Sequence, residues 1–551
     1  MKQTWTRLEG SRRFRRAGTT MLEKTPPGSS IELTIKLRRQ NPLPDVNNGD
    51  VRYTLEGLRQ KCGAAAADIA LVEGVLRAAN IEVVSSDLGT RAVKAKGDAR
   101  FVAALFRVSL WEASDSRASF RIRSGELSIP AELHNIVVAV FGLDSRQMAY
   151  RAVTAKEHRP IPSPEDRPWF LPNEILPFYG FADRNCSGQT IGLLEFGGKF
   201  VESDLKMFCE LTHLTTYPIV KIVDAGQILE EHRDDPGEVS EVMVDVEMIA
   251  GSCPGATIAI YFSSFTEKGW IDALDAAIHD SENRPSVLSI SWGCAEGAKV
   301  WTEQAVREIN ECLQEAALLG TTVCVCSGDD GAGDQIQDGR AHVHFPAASP
   351  YVLGVGGTIL SKRDGVERGW TEGTGIRETG GGSTGGGISA LTPRPTWQDV
   401  DISLPTSARE GGGGRCVPDV SANAARETGY FTVFGGAPWI SGGTSTATPL
   451  WAAVICQINS SLKDKTVGYF TPSLYRPAPD SKKALGSLVC NDVVKGDNSV
   501  AKVRGYKAGR RYDLVTGWGS PKGDALSKWL KSMAEQRVLS EPSREIQSER
   551  Q

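Results

Sequence analysis

Gly443-Thr444-Ser445-Thr446-Ala447-Thr448-Pro449, running straight into Leu450-Trp451-Ala452-Ala453-Val454-Ile455, is a helix entrance followed by an apolar helix body. Ser445 stands among small residues, so the backbone there can approach another molecule closely. The unpaired N–H groups of a helix start also favour developing negative charge. A nucleophilic hydroxyl needs these surroundings, although Ser and Thr are equally ordinary helix caps. The choice between nucleophile and cap rests on whether the chain supplies a base elsewhere.

Near neutral pH that base is usually histidine. The seven histidines are His134, His158, His213, His232, His279, His342 and His344, and none stands in a His-Gly context. The chain offers instead an acidic helical segment from Glu238 to Gly251, in which Glu241 and Asp245 are four apart. That spacing puts both on one helix face within mutual hydrogen-bonding reach. Two carboxyls so close cannot easily both ionise, so the pair can share a proton and act as a base at acidic pH. A solvated acidic face is the alternative reading of the helix alone.

A third carboxylate follows Thr322-Val-Cys-Val-Cys326, a buried strand that ends in Ser327-Gly328-Asp329-Asp330-Gly331. Ligands bind at the carboxyl ends of strands in open parallel sheets, which places Asp329 where chemistry occurs, although Asp is also a common turn former.

Taken together these residues resemble the sedolisins, serine-carboxyl peptidases in which a subtilisin-like fold carries Ser, Glu and Asp in place of Ser, His and Asp. The resemblance implies Ser445 as nucleophile, Glu241 as general base, Asp245 as the carboxyl that orients it and shares its proton, and Asp329 as a protonated donor to the oxyanion. A carboxyl can donate only while protonated, so an acidic optimum follows from the chemistry too. The likeness extends over roughly residues 165–530. It includes Ser289-Ile-Ser-Trp-Gly293, Phe345-Pro-Ala-Ala-Ser-Pro-Tyr-Val352 with Gly356-Gly-Thr358, the glycine-rich run Gly380–Gly387, and Pro418-Asp-Val420. Glu195 matches a position where kumamolisin-like members carry an acid hydrogen-bonded to the base, and Trp292 stands with it behind the catalytic groups.

The same resemblance implies one structural Ca2+. Asp492 and Asp513 would supply carboxylates, and Val493, Gly509 and Arg511 carbonyl oxygens, the hard oxygen set that calcium takes. Relatives usually carry Gly where Arg511 stands, so this chain loses backbone freedom there and gains a positive charge near the cation. His344 departs as well, since some kumamolisin-like enzymes have Asp there near the cleft, and this leaves substrate preference open.

At 551 residues the chain has room for several domains, and 40% hydrophobic content is ample for a core. A net charge of −5 argues against nucleic-acid binding as the main function. Apolar stretches such as Ile136–Leu143 are too short to span a bilayer. The eleven cysteines are scattered, without zinc-type spacing, and several lie in apolar runs, so they read as buried reduced thiols rather than a disulfide framework.

The expected organisation has five parts: a basic disordered arm at 1–28, an inhibitory prodomain at 29–155, a linker with a processing site at 156–172, a catalytic domain with the calcium loop at 173–533, and a polar tail at 534–551. In the prodomain, strands at Ile31–Leu37, Ile81–Val84, Ala92–Ala95 and Ser119–Ile122 and helices at Ala64–Ala79 and Ala99–Phe106 give a β-α-β-β-α-β order. That order implies a ferredoxin-like α+β prodomain before an α/β catalytic domain, a subtilisin-like parallel sheet flanked by helices.

These readings combine into the zymogen of an acid-active serine-type endopeptidase. It acts on proteins or peptides, is inhibited by its own prodomain and is monomeric, with no nucleic-acid partner and no membrane span. It is extracellular, though without a recognisable signal peptide. A tripeptidyl aminopeptidase and a non-catalytic pseudoenzyme are the alternatives.

Overall fold

The computed structural model describes residues 4–539 apart from 16–17, 47–50, 116–117, 149–166, 183–184, 227, 229, 337, 399–412, 464, 480 and 537. The sheet that organises the larger domain has the strand order Ile219–Asp224, Thr257–Phe262, Thr190–Glu195, Val287–Ile290, Thr322–Cys326, Leu353–Leu360, Glu367–Gly369, and Val420–Asn423 also pairs with Leu353–Leu360. All pairings are parallel except that of Glu367–Gly369. Alternate residues of these strands enter different cores. Leu193, Ile260, Val287 and Cys324 pack with the helices Pro236–Ser252 and Thr444–Asn459, whereas Leu194, Tyr261, Leu288 and Val325 pack with Glu267–Ile278 and Glu303–Leu319. A sheet covered on both faces needs apolar residues at successive positions, which accounts for the continuous apolar runs of its strands.

The smaller domain carries the antiparallel order Val137–Phe141, Ser30–Leu37, Ala92–Asp98, Glu82–Asp87, with helices Ala66–Ala78 and Ala99–Leu105. In chain order this is β-α-β-β-α-β, but its last strand is Val137–Phe141 and not the expected Ser119–Ile122. The latter lies in a separate three-stranded sheet with Thr20–Lys24 and Trp111–Ser114. Val137 and Val140 fill the small domain's core, while Ala139 and Phe141 fill a core of the large domain. The segment is apolar on both faces because it is the seam between domains.

Three expected boundaries change. Residues 1–28 are not a disordered arm where described: Trp5–Arg7 pairs with Ser128–Pro130, and Arg13 is buried, 3.1 Å from Glu267 and 3.5 Å from Asp144. Buried carboxylates answer the charge that suggested a solvated segment. The polar tail cannot begin at 534, because the helix Gly523–Gln536 continues through that point with Ala534 buried, and Val538–Leu539 pairs with Val51–Arg52. Of the expected linker with its processing site, 156–166 lie outside the described residues. Arg167 is buried against Glu174, and a helix begins at Pro172.

Candidate active site

The helix Pro236–Ser252 starts on Asp235, whose carboxylate accepts from the Gly237 and Glu238 amides, with Pro236 in the first turn. Glu241 and Asp245 lie on it with 7% and 0% exposure, as do the buried Glu238 and Glu247, so its acidic residues do not form a solvated face. Burial raises Glu247 well above the ordinary carboxyl range, although the Val433 amide donates to it at 2.7 Å.

Ser445 is the second residue of the helix Thr444–Asn459 and is nearly buried. Gly443, just before the helix, has φ +117, and a Cβ there would stand 2.8 Å from Asp329 Oδ2, so a side chain is excluded by both conformation and space. Four residues beyond Ser445, Pro449 has no N–H to offer the Ser445 carbonyl, as a regular helix would require. Ser291 Oγ stands 3.4 Å from that carbonyl and donates to Asp245 Oδ1 at 2.8 Å, while Ser445 Oγ is 3.5 Å from the Ser291 carbonyl oxygen. One serine at a strand end thus links the two helices.

Asp329 follows the strand Thr322–Cys326. Its Oδ1 accepts from the Thr444 amide at 2.7 Å and the Thr444 hydroxyl at 2.6 Å, and its Oδ2 lies 3.5 Å from Arg377 Nη1. Arg377 is held chiefly by Asp330, through Nη2 at 2.7 Å, Nε at 3.0 Å and its own amide at 2.8 Å. Burial works against the guanidinium charge, but Asp330 and Asp329 outweigh it and raise Arg377. Trp292 Nε1 donates to Glu195 Oε2 at 2.8 Å, and both are buried. Glu195, Ser291, Trp292 and Asp329 all lie at the carboxyl edge of three adjacent strands.

Two hollows meet here. One of about 550 Å³ is lined by Ser445, Asp329, Arg377, Trp292 and His344, together with Gly18, Asp115 and Met148 of the small domain. The other, about 140 Å³, is lined by Glu241, Trp439 and again Ser445, Asp329 and Arg377. Ser445 therefore faces both. His344 pairs with Asp334 at 2.9 Å; burial opposes its charge, but Asp334 raises it to about 10. A buried acid, Asp334, thus stands directly beside His344.

The five residues of the expected calcium loop also come together. Asp492 Oδ2 accepts from the Arg511 amide at 3.0 Å, and Asp513 Oδ2 accepts from the Gly509 amide at 3.0 Å. Asp513 Oδ1 accepts from the Val515 and Thr516 amides at 2.8 Å, and the Thr516 hydroxyl is 3.3 Å from the Val493 carbonyl. Burial raises Asp513 to about 6. Sequence reasoning missed Arg377, Asp334 and the role of Ser291. Only Ser291 carried a signal, its place in Ser-x-Ser-Trp-Gly, because the other two reach the site from turns without periodicity.

Comparison with known proteins gives two family matches: the Subtilase family model over residues 224–478 and the pro-kumamolisin activation domain over 17–146. Kumamolisin of Bacillus sp. (strain MN-32) is 34% identical over 95% of this chain and 93% of its own length. Tripeptidyl-peptidase sed5 of Aspergillus fumigatus is 27% identical over 94% of this chain and 96% of its own. Among solved structures, Pseudomonas sedolisin, a serine-carboxyl proteinase complexed with pseudo-iodotyrostatin, superposes with a TM-score of 0.57 at 28% identity, covering 66% of this chain and 99% of that one. With its subtilisin-like parallel sheet, its activation domain and this match over nearly its whole length, the chain belongs to the sedolisin family of serine-carboxyl peptidases.

Proposed function

We propose that this peptidase is an acid-active endopeptidase made as a self-processing zymogen, with Ser445, Glu241, Asp245 and Asp329 performing the reaction. Ser445 Oγ attacks the scissile carbonyl carbon as Glu241 takes its proton, and Asp245 shares that proton across the buried helix face. Protonated Asp329 donates to the oxyanion, and Glu241 returns the proton to the leaving amine. Water then hydrolyses the acyl-enzyme by the same groups. The observation that carries this reading is the junction of the two hollows at Ser445 and Asp329, with Glu241 lining one of them. Arg377 is engaged mainly by Asp330, which leaves Asp329 Oδ2 to a substrate oxygen.

Gly18 and Asp115 reach the larger hollow from the activation domain, consistent with that domain covering the cleft until it is cut away. Export to an acidic extracellular site suits such a precursor, and the burial of all eleven cysteines as thiols shields them there. We further propose one Ca2+ held by Asp492 and Asp513 carboxylates and the Val493, Gly509 and Arg511 carbonyls. Two carboxylates folded around one short loop are a hard-oxygen donor set, and the ion would supply structural stability only. Digesting a long peptide at about pH 4, near carboxyl pKa values, tests the activity. Internal cuts are expected; successive tripeptides would assign an aminopeptidase, and no cuts would leave a pseudoenzyme.

A further inference from the structure

Three thiols distant in sequence converge behind the active site. The sulfurs of Cys186, Cys253 and Cys456 lie within 4.8 Å of one another, and all three residues are buried. Each belongs to an element that carries a residue of the site. Cys186 lies in the turn before the strand Thr190–Glu195, which ends on Glu195; Cys253 follows the last residue of the helix bearing Glu241 and Asp245; Cys456 is on the helix of Ser445, about 16 Å further along its axis. The Cys186 amide also donates to Pro254 O at 2.8 Å, which ties the turn before the strand to the end of the helix.

We propose that Cys186, Cys253 and Cys456 form a three-coordinate site for one soft monovalent metal ion of the copper(I) class, which fastens these elements together at the ends remote from the reaction.

Ligand chemistry narrows the ion. Sulfur donors select soft ions such as Cu(I), zinc and iron–sulfur clusters. Structural zinc takes four ligands, and among the described residues this group offers three, all buried. Each sulfur binds as a thiolate, so loading passes its proton to solvent and transfers no electron, and affinity falls as pH falls. A disulfide would join two of the sulfurs, require an oxidant and leave the third without a role.

The test uses the full chain carrying Ser445→Ala, reduced, stripped of metal and loaded anaerobically with copper(I) as its acetonitrile complex. Expected are one copper per chain by native mass spectrometry, a sulfur-to-copper charge-transfer band, and a Tm raised by a few degrees, as for a ligand of the folded state. Cys456→Ser and Cys253→Ser should each weaken binding at least tenfold, and Cys209→Ser, at a buried thiol outside the cluster, should not. Cys456→Ala and Cys253→Ala replace the serine variants if those fail to fold. Substoichiometric copper, equal binding after loss of a cluster thiol, zinc held as tightly as copper, or a disulfide between two of the three in protein isolated without reductant would each overturn the proposal.

Discussion

Pro449 determines what must surround the nucleophile. By removing the amide that a helix would offer to the Ser445 carbonyl, it leaves that oxygen 3.4 Å from Ser291 Oγ, whose one proton goes to Asp245 at 2.8 Å. Ser291→Ala should therefore reduce peptidase activity about 10–100-fold, because Asp245 loses a buried donor and the acid pair loses its alignment. The accompanying loss of stability should be about 1–3 kcal/mol. Rates on a peptide substrate and a thermal melt would check this, and wild-type activity would contradict it. At this scale the sequence was informative where spacing encodes geometry. Glu241 and Asp245 four apart, Asp329 after a β-branched strand, and Ser445 at a small-residue helix entrance all reach the site. Arg377 was invisible because a guanidinium arriving from a turn has no periodicity, and the three-thiol cluster because its members are brought together only by the packing of two helices and a turn.

Among elements, Val137–Phe141 shows why pattern reading misassigned the last strand of the activation domain. Alternation marks a strand with one wet face, as in Ser119–Ile122, whereas a strand buried on both faces has none. Gln304 of the catalytic domain grips this strand by accepting from the Val140 amide at 3.3 Å and donating to its carbonyl at 3.0 Å. Phe141→Ala should weaken the precursor by about 3–5 kcal/mol, the cost of emptying a buried aromatic site. Much of that loss falls on docking, so the pH at which activity first appears should move upward; an unchanged onset would show that the seam does not hold the domain in place. The loop around Asp492 and Asp513 permits a similar test. Arg511 has φ +67, a conformation glycine adopts freely and arginine does not. Chelation should lower Tm if calcium is bound there, Asp513→Ala should mimic the chelator, and Arg511→Gly should stabilise the protein by about 1 kcal/mol through relief of that strain. A Tm indifferent to both chelator and Asp513→Ala would remove the ion from the account.

At the scale of the whole molecule, the two domains meet through charge as well as apolar surface. The basic side chains lie on the activation domain and the carboxylates on the helices Glu267–Ile278 and Glu303–Leu319. Lys36 is 2.8 Å from Asp275, Arg91 3.0 Å from Glu308 and Arg39 2.6 Å from Glu315. Burial alone would raise Glu308 and Glu315, but Arg91 beside the first and Arg39 beside the second hold both below the ordinary carboxyl range. Once the domains separate, these groups return toward about 4.3. Docking is therefore fully supported above that value and weakens as pH falls toward the lowered values of the docked pair. Release of the activation domain therefore uncovers the hollow that Ser445 and Asp329 line. The central claim is that Ser445 then removes the activation domain from its own chain. Following the mass of wild type and Ser445→Ala side by side at about pH 4 tests it most directly. The account predicts that the wild type shortens by the activation domain while the variant, equally folded, stays whole; a variant that shortens at the same rate without added protease would contradict it.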